Sequence, residues 1–288
     1  MSKHEIKRWV GDTIRDFIQS SPENSLKDAA DEKAWEDCLI GFSNGADSIF
    51  EAYKEHVGPF HMTPLELFTK SFPEAEHKPD QLTVISWILP QTDQTKRDNR
   101  KETAYPAERW ARARIFGEQT NVALRNHVVA TLQMKGYQAI APQLSSYWER
   151  KTSDKFGFAS TWSERHAAYA SGLGTFGLCD GLITPKGKAM RCGSVIANIQ
   201  IPPTVRPYKN HHEYCLFFTE GKCKKCIPRC PAGAISELGH DKIKCRGYMF
   251  PMIHEYVKTH YHFEGYGCGL CQTGVPCESK IPTTRDIE

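Results

Sequence analysis

Apolar residues near the start of the chain recur every three or four positions: Ile6, Trp9, Val10, Ile14, Phe17 and Ile18. That spacing predicts one amphipathic helix from Lys3 to Ser20, stopped by Ser21-Pro22. Asp47 to His56, ended by Gly58-Pro59, predicts a second helix. Thr63-Pro64-Leu65-Glu66 opens a third, with Thr63 as N-cap, Pro64 at the first helical position and Glu66 closing the capping box. The first 70 residues therefore read as helical, with Ala34 to Leu39, up to the interruption at Gly41, packing on its own neighbours. The period then changes to that of a strand. Gln81 to Leu89 is β-branched, apolar and closed by Pro90. Gln91 to Glu102 is polar and reads as a loop that is mobile or lines a cleft. Ala107 to Lys135 carries a long helical pattern through Trp110, Ile115, Leu124, Val128 and Leu132, ended by Gly136. A short strand from Gly136 to Pro142 completes a strand–helix–strand crossover. Thr161 to Gly172 predicts another helix, Leu173 to Gly177 a glycine-rich turn, Leu182 to Gly187 a strand and turn, and Gly193 to Ile201 a last strand before Pro202-Pro203.

With 288 residues the length suits about two domains. Hydrophobic residues make up 40% of the chain, enough for a packed core. No apolar run reaches the roughly 18 residues that a membrane span needs. Met1-Ser-Lys-His-Glu shows neither an export segment nor a twin-arginine pair, so a cytoplasmic location is expected. Lysine and arginine number 37 against 34 acidic residues, a net charge of +3. That is too mild a balance to argue for nucleic acid. Lys96, Arg97, Arg100 and Lys101, and Lys222, Lys224 and Lys225, form local basic clusters that read as solvated surface. The second could also receive an acidic electron donor.

The cysteines change the picture more than the charge does. Of 11, eight lie between Cys215 and Cys277. Cys223-Lys-Lys-Cys226-Ile-Pro-Arg-Cys230-Pro231 is C-x2-C-x3-C-P, the last part of the run that ligates iron–sulfur clusters. The first cysteine of the full run would stand at Glu220, so Cys215 is the nearest upstream thiolate. In two-cluster proteins the cysteine before proline serves the other cluster. The expected partition is Cys215, Cys223, Cys226 and Cys277 for one [4Fe–4S] cluster, and Cys230, Cys245, Cys268 and Cys271 for the other. Structural zinc is the competing reading, because C-x2-C pairs also hold zinc. Cys38, Cys179 and Cys192 stand outside the block and read as small buried hydrophobes.

The stretch Ser163-Glu-Arg-His-Ala-Ala-Tyr-Ala-Ser-Gly-Leu-Gly-Thr-Phe-Gly-Leu178, followed by Leu182-Ile-Thr-Pro-x-Gly187, by Arg191 before a strand and by the cysteine block, resembles the epoxyqueuosine reductase and reductive dehalogenase superfamily. The resemblance spans about residues 80 to 285. It implies an α+β fold: a helical N-terminal region (1–75), a nitroreductase-like α/β core binding base-off cobalamin (76–207), and a ferredoxin-like domain with two [4Fe–4S] clusters (208–288). It also implies an oxidoreductase that cleaves a carbon–halogen or carbon–oxygen bond, fed by a ferredoxin or flavodoxin and acting on a small molecule. An epoxyqueuosine (tRNA) reductase-like enzyme and an iron–sulfur electron-transfer protein without corrinoid catalysis remain the alternatives. By position, Gly172, Leu173, Gly174 and Gly177 would contact the corrinoid through backbone. Leu182, Ile183 and Thr184 would line its tail pocket, and Arg165 would pair with its phosphate. A tyrosine supported by a cation would donate the proton, with Tyr147, Lys155 and Arg191 as candidates. His166 reads as a structural histidine. Phe158 stands where epoxyqueuosine reductases carry an acid, which disfavours a tRNA substrate. The chain is also expected to have no room after Cys277 for the helical repeats with which some of those enzymes grip tRNA.

Overall fold

The structure, a computed structural model, describes residues 1–286. Helix α1 (Lys3–Ser20) starts where expected. Ser2 accepts from the Glu5 amide and the Glu5 carboxylate accepts from the Ser2 amide, so two orphan donors are satisfied at once. Its buried stripe, Val10, Ile14 and Ile18, belongs to the main hydrophobic core. Strand β1 (Leu39–Asn44), helices α2 (Ile49–His56) and α3 (Pro64–Ser71), strand β2 (Leu82–Pro90), helices α4 (Asp93–Lys101) and α5 (Glu108–Met134), and strand β3 (Ala139–Ile140) follow. Then come the hairpin β4 (Arg150–Ser153) and β5 (Gly157–Ser160), helix α6 (Glu164–Ala170), the pair β6 (Thr175–Phe176) and β7 (Leu182–Ile183), and strand β8 (Met190–Asn198). The cysteine-rich end holds α7 (Leu216–Glu220), a small β9–β10 ribbon (Ile235–Ser236 with Gly239–His240), α8 (Lys242–Gly247) and α9 (His254–Tyr261).

The central sheet has the order β1-β2-β8-β3, and every neighbouring pair is antiparallel. All nine residues of β2 are buried, because both faces of the strand are covered. Ile85, Trp87 and Leu89 face the core that contains α1 and α5, while Leu82 and Val84 face the one built by α2, α3 and α6. The alternation of a strand thus separates two cores. The crossover from β2 through α5 to β3 exists, but β8 lies between the two strands it connects.

Two expectations need correction. Leu39–Asn44 is a strand in the central sheet rather than part of a wholly helical N-terminal stretch. The run from Gln91 to Glu102 is a helix, α4, whose Thr92 cap accepts from the Thr95 amide. Its sequence lacks an apolar stripe because it is docked by polar groups. Asn99 is fully buried and donates to the Thr273 hydroxyl, and its carbonyl oxygen accepts from the Ala107 amide.

Candidate metal centre

The cysteines are positioned by short turns. Cys215 caps α7, and Gly221 ends that helix at φ +68°, a conformation glycine adopts without strain, which turns the chain back toward Cys223. Cys230 accepts from the Ala234 amide at 3.3 Å. Asp241 caps α8, which carries Cys245. Gly269, at φ +61°, precedes Cys271, and a Cβ there would lie 1.9 Å from the Trp110 ring of α5. Only glycine lets that turn sit on the α/β core. The Cys277 carbonyl accepts from the Lys188 amide at 2.9 Å, and the Glu278 carbonyl from the Ala189 amide at 3.2 Å. The C-terminal end of the cysteine block is thereby fixed to the residues leading into β8.

Cys215, Cys223, Cys226 and Cys277 line one cavity, floored by Leu178 and Ile183. Cys268 feels Cys230 and Cys245 as electrostatic neighbours, and Cys271 lies beside Cys268. Among the described residues no three His, Cys, Asp or Glu side chains come close enough to hold a single metal ion. A zinc ion would draw its thiolates to about 2.3 Å from one centre, whereas an iron–sulfur cube holds them further apart. None of the described cysteines is in a disulfide. Burial pushes Cys268 up to about 12 and Cys277 up to about 11, the penalty for an anion in an apolar shell, which a cationic metal centre offsets.

One further sulfur joins these two sets. Cys179 is 5% exposed and lies against both Cys226 and Cys271. The Lys188 ammonium, 2% exposed, donates to its Sγ at 3.2 Å. The spacing of the cysteine block gave no sign of this, since Cys179 and Lys188 come from the segment around β7.

The expected catalytic group is not assembled. The Tyr147 phenol donates to the Lys70 carbonyl at 2.7 Å, with the Lys70 ammonium 5.8 Å above its ring. Lys155 donates to the Glu55 carbonyl at 2.9 Å. Arg191 pairs with Glu118 in a buried network around Arg125. Arg125, with no exposed surface, also meets Glu164 at 3.2 Å and the Gln143 side-chain oxygen at 2.9 Å. Burial raises the Glu164 carboxyl above its ordinary range, while Arg125 and the Ser194 hydroxyl oppose that. A tyrosine paired with a guanidinium does exist elsewhere: Arg114 donates to the Tyr266 hydroxyl at 3.1 Å and lies 4.7 Å above its ring. The two partners lie 152 residues apart, so no local pattern announces the pair. His166 is satisfied by the Ser163 hydroxyl at 2.8 Å, as a structural histidine would be.

The residues assigned to a corrinoid pack against the chain itself. Leu182, Ile183 and Thr184 have no exposed surface, and Leu173 has 6%. A Cβ on Gly174 would lie 2.2 Å from the Ile183 carbonyl, and one on Gly172 3.0 Å from the Val205 carbonyl. On Gly177 it would meet the Ile183 side chain at 3.2 Å. The glycines thus allow the chain to approach itself. Arg165 donates to the Asp180 carbonyl rather than standing free for phosphate.

No family model matches the chain. An epoxyqueuosine reductase of Bacillus cereus is 31% identical over 119 residues, 40% of this chain and 29% of that protein. One of Gloeobacter violaceus is 31% identical over 120 residues, 39% of this chain and 35% of that protein. The chain is similar to epoxyqueuosine reductases. It spans about a third of the length of these curated relatives. The crystal structure of epoxyqueuosine reductase with a tRNA-Tyr epoxyqueuosine-modified stem loop superposes at a TM-score of 0.51 and 16% identity, over 98% of this chain and 68% of that one. The catabolic reductive dehalogenase NpRdhA in complex with 3-bromo-4-hydroxybenzoic acid gives 0.50 and 13%, over 86% of this chain and 31% of that one. The mixed helix-and-sheet fold is therefore shared with both kinds of enzyme. Among the described residues no helix is long and apolar enough to cross a membrane.

Proposed function

We propose that the chain is an iron–sulfur reductase of the epoxyqueuosine reductase-like type, taking electrons from a small ferredoxin or flavodoxin and passing them through two [4Fe–4S] clusters. The observation that carries this is the convergence of Cys215, Cys223, Cys226 and Cys277 on one cavity, in the grouping that the interleaved ligand rule requires. Cys230, Cys245, Cys268 and Cys271 would hold the second cluster. When bound, the clusters supply one-electron transfer at low potential. The chain's own residues hold the sulfurs, exclude water from them and fix the cysteine block to the core through Lys188, Ala189 and Glu278. The names of the curated relatives favour the epoxyqueuosine reductase-like branch over carbon–halogen cleavage. Phe158, where an acid is expected, lies under the Arg246 guanidinium at 4.9 Å, so the same substrate is not assigned. A second reading, an electron carrier without a corrinoid, is supported by the closed packing of Gly172, Gly174 and Ile183.

The test is anaerobic purification with iron and sulfide analysis and electron paramagnetic resonance of the reduced protein. About eight irons per chain are expected, and fewer than about six reject two clusters. Added hydroxocobalamin separates the readings: a bound, reducible corrinoid restores the catalytic assignment, and its exclusion leaves the carrier.

A further inference from the structure

We propose that Lys188, anchored on Cys179, is a fixed cation between the two cluster sites that sets their reduction potentials. This rests on the two-cluster reading above. Lys188 is buried, and its ammonium makes one hydrogen bond, to the Cys179 sulfur at 3.2 Å. Among the described residues it enters no ion pair with a carboxylate. A buried ammonium left without a counter-charge is strongly disfavoured. Its side chain lines the first cavity, and the groups that favour its charge are the thiols of Cys179, Cys277, Cys226 and Cys271. Two of these come from the first ligand set and one from the second.

The fold builds this placement deliberately enough to name its parts. The turn at Gly187, φ +78°, delivers the Lys188 amide to the Cys277 carbonyl, and a Cβ on Gly187 would lie 2.1 Å from the Glu278 carbonyl. The lysine stem runs alongside Gly181, its Cδ 3.4 Å from where a Cβ would stand. Cys179 then holds the ammonium on the boundary between the two cysteine sets. Adding an electron to a cluster adds negative charge to it. A fixed cation in a low-dielectric interior favours that reduced state and raises the potential. Shared sulfur neighbours extend the effect to both clusters.

Potentiometric titration of the anaerobically purified protein, followed by electron paramagnetic resonance, reads this directly. Iron analysis comes first: low iron in the unaltered chain defeats the two-cluster reading, whatever Lys188 does. With iron in place, Lys188→Met should shift at least one midpoint to more negative potential, while Lys188→Arg stays close to the parent. An iron-replete Lys188→Met protein with unchanged midpoints overturns the proposal. If the neutral variants Lys188→Met and Lys188→Gln both fail to assemble clusters while Lys188→Arg succeeds, the demand for positive charge is shown by assembly itself. If Lys188→Arg fails with them, the position is one of packing and the proposal falls. Cys179→Ser should keep full iron content with altered midpoints; loss of one cluster there would make Cys179 a ligand and overturn its role as anchor.

Discussion

At the scale of single residues, what the sequence revealed was the chemistry that depends on local spacing. Cys223, Cys226 and Cys230 stand in a C-x2-C-x3-C-P run that is visible from spacing alone. Tyr147 could not be read, because the Lys70 carbonyl that accepts its hydrogen bond comes from α3. Cys215→Ser tests the ligand inferred from nearness alone: iron should fall from about eight to about four per chain, with one paramagnetic signal lost. Arg125 carries a different consequence. It is enclosed by Glu118, Glu164 and Gln143, so Arg125→Met strands the Glu164 carboxylate without its cation. Breaking one side of such a buried pair costs about 3–5 kcal/mol. Lowered urea midpoints should report it, and Arg125→Lys should recover only part, since an ammonium cannot span three partners with a planar fork.

At the scale of elements, strong hydrophobic periods were legible and polar or short segments were not. Helices α1 and α5 and strand β2 carry their pattern in their own residues. Strand β1 is six residues with a glycine in it, and only its neighbours explain why. A Cβ on Gly41 would lie 2.2 Å from the Ser171 carbonyl and 2.9 Å from Leu173, so the strand is pressed against the end of α6. Helix α4 hides for the opposite reason: it is held by hydrogen bonds rather than an apolar stripe. Asn99→Ala should therefore cost roughly 1–3 kcal/mol, because the Ala107 amide loses its partner in a buried setting and the Thr273 hydroxyl keeps only Arg229. Since Thr273 lies between Cys271 and Cys277, the same variant should also lose iron faster to a chelator than the parent does.

At the scale of the whole molecule, the core that joins α2, α3, α6 and the sheet encloses a group that makes folding sensitive to acid. His61 is 2% exposed, and neither ring nitrogen finds a hydrogen-bond partner among the described residues. It stacks on Trp162 and lies beside Tyr53 and His166, with Lys54 and Glu66 the charged groups that reach it. Burial pushes it down to about 4 from its ordinary 6.5, and His166, also buried, falls below its ordinary value by the same cause. A histidine lowered in the folded chain binds fewer protons there than in the unfolded one. Stability is then complete above about pH 6.5 and is lost as pH falls toward 4. The His61 share is roughly 3 kcal/mol at about 1.4 kcal/mol for each pH unit of that interval. His61→Phe keeps an aromatic ring against Trp162 and removes the titration. Urea midpoints measured from pH 7.5 to 4.5 should fall less steeply in this variant than in the parent. Equal slopes in the two proteins would mean that His61 meets water in solution, and that the core closing over it is looser than its packing implies.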